Sequence, residues 1–139
     1  RIRMNNPKEH LVLPETISKE PLGPVVREGD EEWADIVAWT LYAQKEAEEY
    51  GLNSGNAGQM RSNPKSNPTV KRLLGVEGNT GEHLGLGNDW AYNVITMIGN
   101  YGEMYERHVG ANTPLKLTRE GSTNDLWTKG GLHYPMPFR

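Results

Sequence analysis

The chain has 139 residues, a formal net charge of -3 and no cysteine. Its 16 glycines and 9 prolines make about 18% of the residues, below the roughly 25–30% of low-complexity chains, so a folded protein is expected. The lack of cysteine excludes disulfides, thiolate zinc sites and cysteine nucleophiles.

In chain order, Leu11-Val12-Leu13 is a short apolar run closed by Pro14 and reads as a brief strand. Residues 16–21 are polar and proline-ended, a connector. Leu22-Gly23-Pro24-Val25-Val26-Arg27 reads as a second strand, its proline placing it at an edge or a strand start. Asp30 is a good N-cap for a helix with Glu31 and Glu32 in its first turn, where the helix dipole favours anions. Trp33, Ile36, Val37, Thr40, Leu41, Gln44 and Ala47 then recur at helical spacing, and Gly51 is a natural stop.

Residues 52–66 read as a loop with one helical turn near Met60. Asn67-Pro68 pairs an N-cap with proline at the first helical position, and Gly75 closes that short helix. A five-glycine connector over residues 75–87 leads to Asn88 or Asp89, which caps a helix carrying Trp90, Ala91, Val94, Ile95 and Ile98 on one face. The run Gly99-Asn100-Tyr101-Gly102 interrupts it before a helical continuation to Val109. Leu115-Lys116-Leu117 alternates briefly, Leu126 and Trp127 sit on a last helical turn, and the two-proline tail is extended. About four helices and two short strands result. Two strands alone make no stable sheet, so partner strands are expected elsewhere.

Sites of chemistry are scarce. The acidic residues from Glu28 to Glu49 read as a solvated helix face, and the net negative charge speaks against nucleic acid. His10, His83, His108 and His133 have no metal-ligand spacing, so neither a metal site nor a cofactor is expected. The glycines of residues 75–87 follow a helix rather than a strand, lack G-K-[ST], and are accompanied by Glu77 and Glu82, which would repel a phosphate. Glu103 and Glu106, one helical turn apart, and Asp89 among aromatic residues allow a glycoside-hydrolase reading. Helix capping accounts for them more simply, and no catalytic residue is assigned. Trp33, Trp90 and Trp127 fit core positions, whereas Trp39 lies off the apolar stripe and is the one that could face a partner.

Long contiguous runs carry a resemblance. They are His10-Leu11-Val12-Leu13-Pro14-Glu15, Ile17-Ser18-Lys19-Glu20-Pro21-Leu22-Gly23-Pro24-Val25-Val26-Arg27 and Gly29-Asp30-Glu31-Glu32-Trp33. Further runs are Asn67-Pro68 with Arg72-Leu73-Leu74-Gly75, Leu84-Gly85-Leu86-Gly87-Asn88-Asp89-Trp90-Ala91-Tyr92, and Gly99-Asn100-Tyr101-Gly102-Glu103 with Glu106-Arg107. The end, Leu126-Trp127 with Lys129-Gly130-Gly131-Leu132 and Tyr134, agrees as well. Nearly end to end, the chain resembles the C-terminal part of the periplasmic general L-amino-acid-binding proteins, the substrate-binding components of ABC importers.

The resemblance implies an α/β fold: the C-terminal portion of a two-lobed type II periplasmic-binding-protein, mostly helical with a few short strands. On that plan residues 1–15 end the second lobe, 16–21 form the hinge crossing, and 22–139 are the C-terminal part of the first lobe. The arginine that clamps the ligand carboxylate and the acidic residue that takes its amine are expected upstream of Arg1. Ser18, Lys19 and Glu20 are left as candidate ligand-binding residues on the hinge rim. The implied partners are an L-amino acid and the membrane permease of an ABC transporter, in the periplasm. Because the chain opens on Arg1 rather than Met and contains no signal peptide, we expect a fragment of such a protein, and one that self-associates through its orphaned sheet edge. The alternatives are a ligand-free helical interaction module and, more remotely, a small carbohydrate-active enzyme using Glu103 or Glu106.

Overall fold

The computed structural model describes residues 3–11, 13, 15, 17–18, 22–63 and 65–138. The long helix α1 (Glu31–Glu49) is its axis. Asp30 caps it by accepting a hydrogen bond from the Trp33 backbone N–H at 3.2 Å, as its position predicts. α2 (Ala57–Ser62) and α3 (Pro68–Leu73) follow, the second capped by Asn67 and opened by Pro68. α4 (Trp90–Ile98) and α5 (Tyr101–His108) both pack against α1. Single 3₁₀ turns occur at Pro7–Glu9, Glu82–Leu84 and Trp127–Lys129.

The core explains the choice of small residues on α1. Ala43 and Ala47 are fully buried where α4 approaches, and Leu52, Val70, Leu73, Leu74 and Ile95 fill the space around them. Alanine on the central helix lets the neighbouring backbones come close, while the branched residues of the shorter elements supply the volume. Gln44, buried on the same helix, donates to the Gly99 carbonyl at 3.2 Å and ties α1 to the break between α4 and α5.

That break has a backbone cause. Gly99 adopts φ 97°, which ends α4, and Asn100 restarts the chain with a capping box: its side chain accepts from the Glu103 backbone N–H while Glu103 accepts from the Asn100 N–H. α5 therefore begins at Tyr101, two residues before the expected continuation. The five-glycine stretch is not a loose connector either. Asn88 accepts from the Gly81 N–H and donates to the Gly78 carbonyl, pinning the loop around the 3₁₀ turn.

The strand expectations need correction. Among the described residues there is no strand, and the sole ladder-type contact is an isolated parallel bridge between Leu126 and His133. Residues 22–27 run without a ladder and are largely exposed, Leu22 at 91% and Val25 at 94%. A strand is completed only by a partner that takes its N–H and C=O groups, and no described segment does so. Of the first expected strand, Leu11 and Leu13 are exposed and Val12 lies outside the described residues. No described helix is long and apolar enough to cross a membrane.

Candidate functional site

Of the three hinge-rim candidates, Ser18 is exposed beside Ile17, whereas Lys19 and Glu20 lie outside the described residues. Ser18 lines none of the cavities described below. Further along the chain, Pro24 and Val26 face Val37, Leu41 and Tyr42 of α1 across a partly covered apolar groove of about 230 Å³. The apolar residues of α1 thus face two ways, and the core side is not the predicted stripe, of which only Gln44 and Ala47 are buried. Trp39, Tyr42, Ala43 and Ala47 belong to the core, while Val37 and Leu41 line this groove.

The tryptophans sort differently from their sequence positions. Trp90 is buried as expected, but Trp33 is 52% and Trp127 48% exposed. Trp39 packs inward, its ring edge-on to Tyr42 at 5.6 Å and to Phe138 at 5.4 Å. Phe138, from the tail, also lies 6.1 Å from Trp90, and Arg72 Nε donates to its carbonyl at 3.2 Å. The tail is consequently a structural element of the core. Trp39, Trp90 and Phe138, with Asp35, Thr80 and His83, line a cavity of about 410 Å³. A second depression of about 310 Å³, lined in part by Glu32 and Glu82, shares Asp35 and His83 with it.

The acidic run of α1 is not uniformly solvated. Glu46 is 4% exposed, and burial, with the neighbouring Glu49 charge, pushes its carboxyl up to about 7 against a favourable hydrogen bond from the Phe138 backbone. Glu48 forms a fork-to-fork ion pair with Arg119, Nη2 donating to Oε2 at 2.9 Å and Nη1 to Oε1. Arg119 Nε donates to the Asn124 carbonyl at 2.8 Å, and its guanidinium lies 5.1 Å from the Tyr101 ring. Tyr101 in turn stacks on His133 at 4.4 Å, whose pKa is lowered by burial and then by the charges of Lys45 and Arg119. This cluster is a tertiary brace between α1, α5 and the C-terminal segment.

Two of the three carboxylates considered for glycoside chemistry, Glu103 and Glu106, are engaged locally. Burial alone would raise the Glu103 carboxyl, but hydrogen bonds from the Ser54 hydroxyl and from the Asn100 and Ser54 backbone N–H groups hold it below the usual range. Glu106 Oε2 accepts from the Ala111 N–H at 3.4 Å. Asp89 occupies the N-cap position of α4, with no side-chain capping bond. Among the described residues no group of three His, Cys, Asp or Glu side chains could hold a metal ion.

Comparison with known proteins matches this architecture over the whole chain. No family profile matches it. The General L-amino acid-binding periplasmic protein AapJ of Rhizobium johnstonii is 53% identical over 141 residues, covering 100% of this chain and 40% of AapJ. The Glutamate/glutamine/aspartate/asparagine-binding protein BztA of Rhodobacter capsulatus is 48% identical over 139 residues, again 100% of this chain and 40% of BztA. Among solved structures, an ABC transporter / periplasmic binding protein from Brucella ovis with glutathione bound superposes with a TM-score of 0.87 at 48% identity, covering 99% of this chain and 42% of that one. The chain spans about 40% of the length of the curated relatives it matches, and the matching part is their C-terminal one. Its fold is accordingly that of the C-terminal portion of a periplasmic binding protein, as the sequence resemblance implies.

Proposed function

We propose that this chain is the C-terminal portion of the substrate-binding component of an ABC importer for L-amino acids, working in the periplasm without a catalytic role. The end-to-end similarity to AapJ and BztA is the observation that carries this reading. The half-covered apolar groove on α1 and the unladdered residues 22–27 support it, because both are surfaces that a larger lobe would cover. In this arrangement residues 1–15 end the second lobe, 16–21 cross the hinge, and 22–139 complete the first lobe. Ser18, Lys19 and Glu20 stand on the rim of the ligand cleft, and the complete protein delivers its amino acid to a membrane permease.

Reconstitution tests the proposal. The chain is mixed with a polypeptide covering the part of AapJ that the match leaves out, and a panel of L-amino acids is titrated by calorimetry into the mixture and into the chain alone. Binding in the mixture alone is the expected result. If the two polypeptides do not associate, or if the chain alone binds amino acids as well as the mixture does, the proposal fails. Lys19→Ala in the reconstituted protein is expected to weaken the amino acid by several-fold, and an unchanged affinity removes Lys19 from the rim. The chain on its own is expected to self-associate through its exposed apolar residues, and a clean monomer in light scattering refutes that part.

A further inference from the structure

The cavity between α1, the turn Glu82–Leu84 and the tail combines two properties that point to one class of ligand. Its walls carry Trp39, Trp90 and Phe138, three rings brought together from α1, α4 and the C-terminus. Asp35 shares the wall, one helical turn before Trp39 and on the same side of α1. The depression that continues from it adds Glu32 and Glu82. No Lys or Arg lines either one, and although Arg72 donates to the Phe138 carbonyl behind the wall, the three carboxylates outnumber that cation.

Aromatic faces carry negative quadrupole potential and attract cations, most strongly where several rings meet. Carboxylates at the mouth add to that attraction, and they exclude anionic ligands. Bare metal ions are disfavoured as well, since three rings offer no oxygen ligands to replace a hydration shell. A compact cation clothed in carbon suits both halves of the site: its methyl or methylene groups pack chiefly on Trp39, the most exposed of the three rings, and its charge faces Asp35. A volume of about 410 Å³ accommodates such a molecule with room to spare.

We propose that this cavity is a binding site for a small organic ammonium ion, held by the Trp39, Trp90 and Phe138 rings and by the Asp35 carboxylate. Ser18 is not among its lining residues, so the proposal stands or falls separately from the hinge-rim reading. The probe is choline, compared with its uncharged isostere dimethylbutanol, in which a quaternary carbon replaces the nitrogen. Both are titrated into the 139-residue chain and followed by tryptophan fluorescence and saturation-transfer NMR.

Choline is expected to bind saturably and at least about tenfold more tightly than the isostere. Asp35→Asn, a change at an exposed position that leaves the rings in place, is expected to weaken choline about two- to fivefold and to leave the isostere unchanged. Glu28→Gln, which removes an exposed carboxylate outside both depressions, is expected to change neither. Equal affinity for choline and the isostere would mean an ordinary apolar cavity and overturns the proposal. Indifference of choline to Asp35→Asn, or no saturable binding of either probe, does the same.

Discussion

Glu46→Gln is expected to stabilise the protein at neutral and alkaline pH and to do nothing in acid. Glu46 is 4% exposed on α1, and its carboxyl is raised from the ordinary 4.5 to about 7, first by burial and then by the Glu49 charge. The folded state therefore holds this proton more tightly than the unfolded one. Below about 4.5 both states are protonated and the group exerts no penalty. Between about 4.5 and 7 the unfolded chain ionises first, so stability falls as pH rises, and above about 7 the loss levels off. The span corresponds to about 3 kcal/mol as an upper limit, and relaxation around a buried carboxylate reduces that to about 2 kcal/mol. Glutamine is near-isosteric, keeps an acceptor for the Phe138 N–H, and never ionises. Near pH 8 the variant should gain about 2 kcal/mol, or roughly 6–10 °C in melting temperature for a chain of this size, and near pH 4 it should match the parent. Thermal melts by circular dichroism across that range are the assay. Parallel curves for parent and variant from about pH 4 to about pH 8 would refute the reasoning.

Arg119→Met should cost about 3–5 kcal/mol in urea unfolding, because it strands the Glu48 carboxylate in a site where the two side chains are 11% and 9% exposed. The double variant Glu48→Leu with Arg119→Met should recover part of that loss, and a purely additive result would show that the pair is not coupled. Gly75→Ala should cost more than about 2 kcal/mol, since Gly75 has φ 70° and an added Cβ would fall on the Asn88 carbonyl; a neutral effect would mean that the loop yields freely. Asn100→Ala should cost about 2 kcal/mol by removing both the cap to the Glu103 N–H and the buried 2.6 Å bond to the Leu52 carbonyl. Asn100→Asp, which keeps the cap but sets a buried carboxylate oxygen against the Leu52 carbonyl, should cost at least as much as Asn100→Ala in the same melts.

Local signals were legible where a short-range rule decides the outcome. The Asp30 and Asn67 caps and the position of α1 follow from residues within one or two turns of each other, and each is found where the pattern puts it. Helix faces were harder to read. The periodic pattern of α1 places Trp33 inside and leaves Trp39 out, yet Trp33 is 52% exposed and Trp39 packs on Phe138. The reason is that α1 carries two apolar sides, and spacing alone does not say which one meets α4 and the tail. Residues 22–27 form no strand for a related reason: an extended segment makes a strand only beside a partner, while part of the first expected strand lies outside the described residues. The aromatic cavity was illegible from spacing, because Asp35, Trp90 and Phe138 come from distant parts of the chain.

The amino-acid sequence by itself determined the helix starts and stops, the absence of thiol chemistry and, through long shared runs, the kinship that the comparisons bear out. These depend on neighbouring residues or on residue identity, so no folding is needed to see them. Only the tertiary structure decided which acids are buried, which cation meets them and where the tail goes. Glu46 and Glu48 look alike with Glu49 in the acidic run. Burial, with the Glu49 charge, raises the carboxyl of the first, and Arg119, 71 residues away, pairs with the second. Burial and long-range pairing set those properties, and both exist only once the chain has closed on itself.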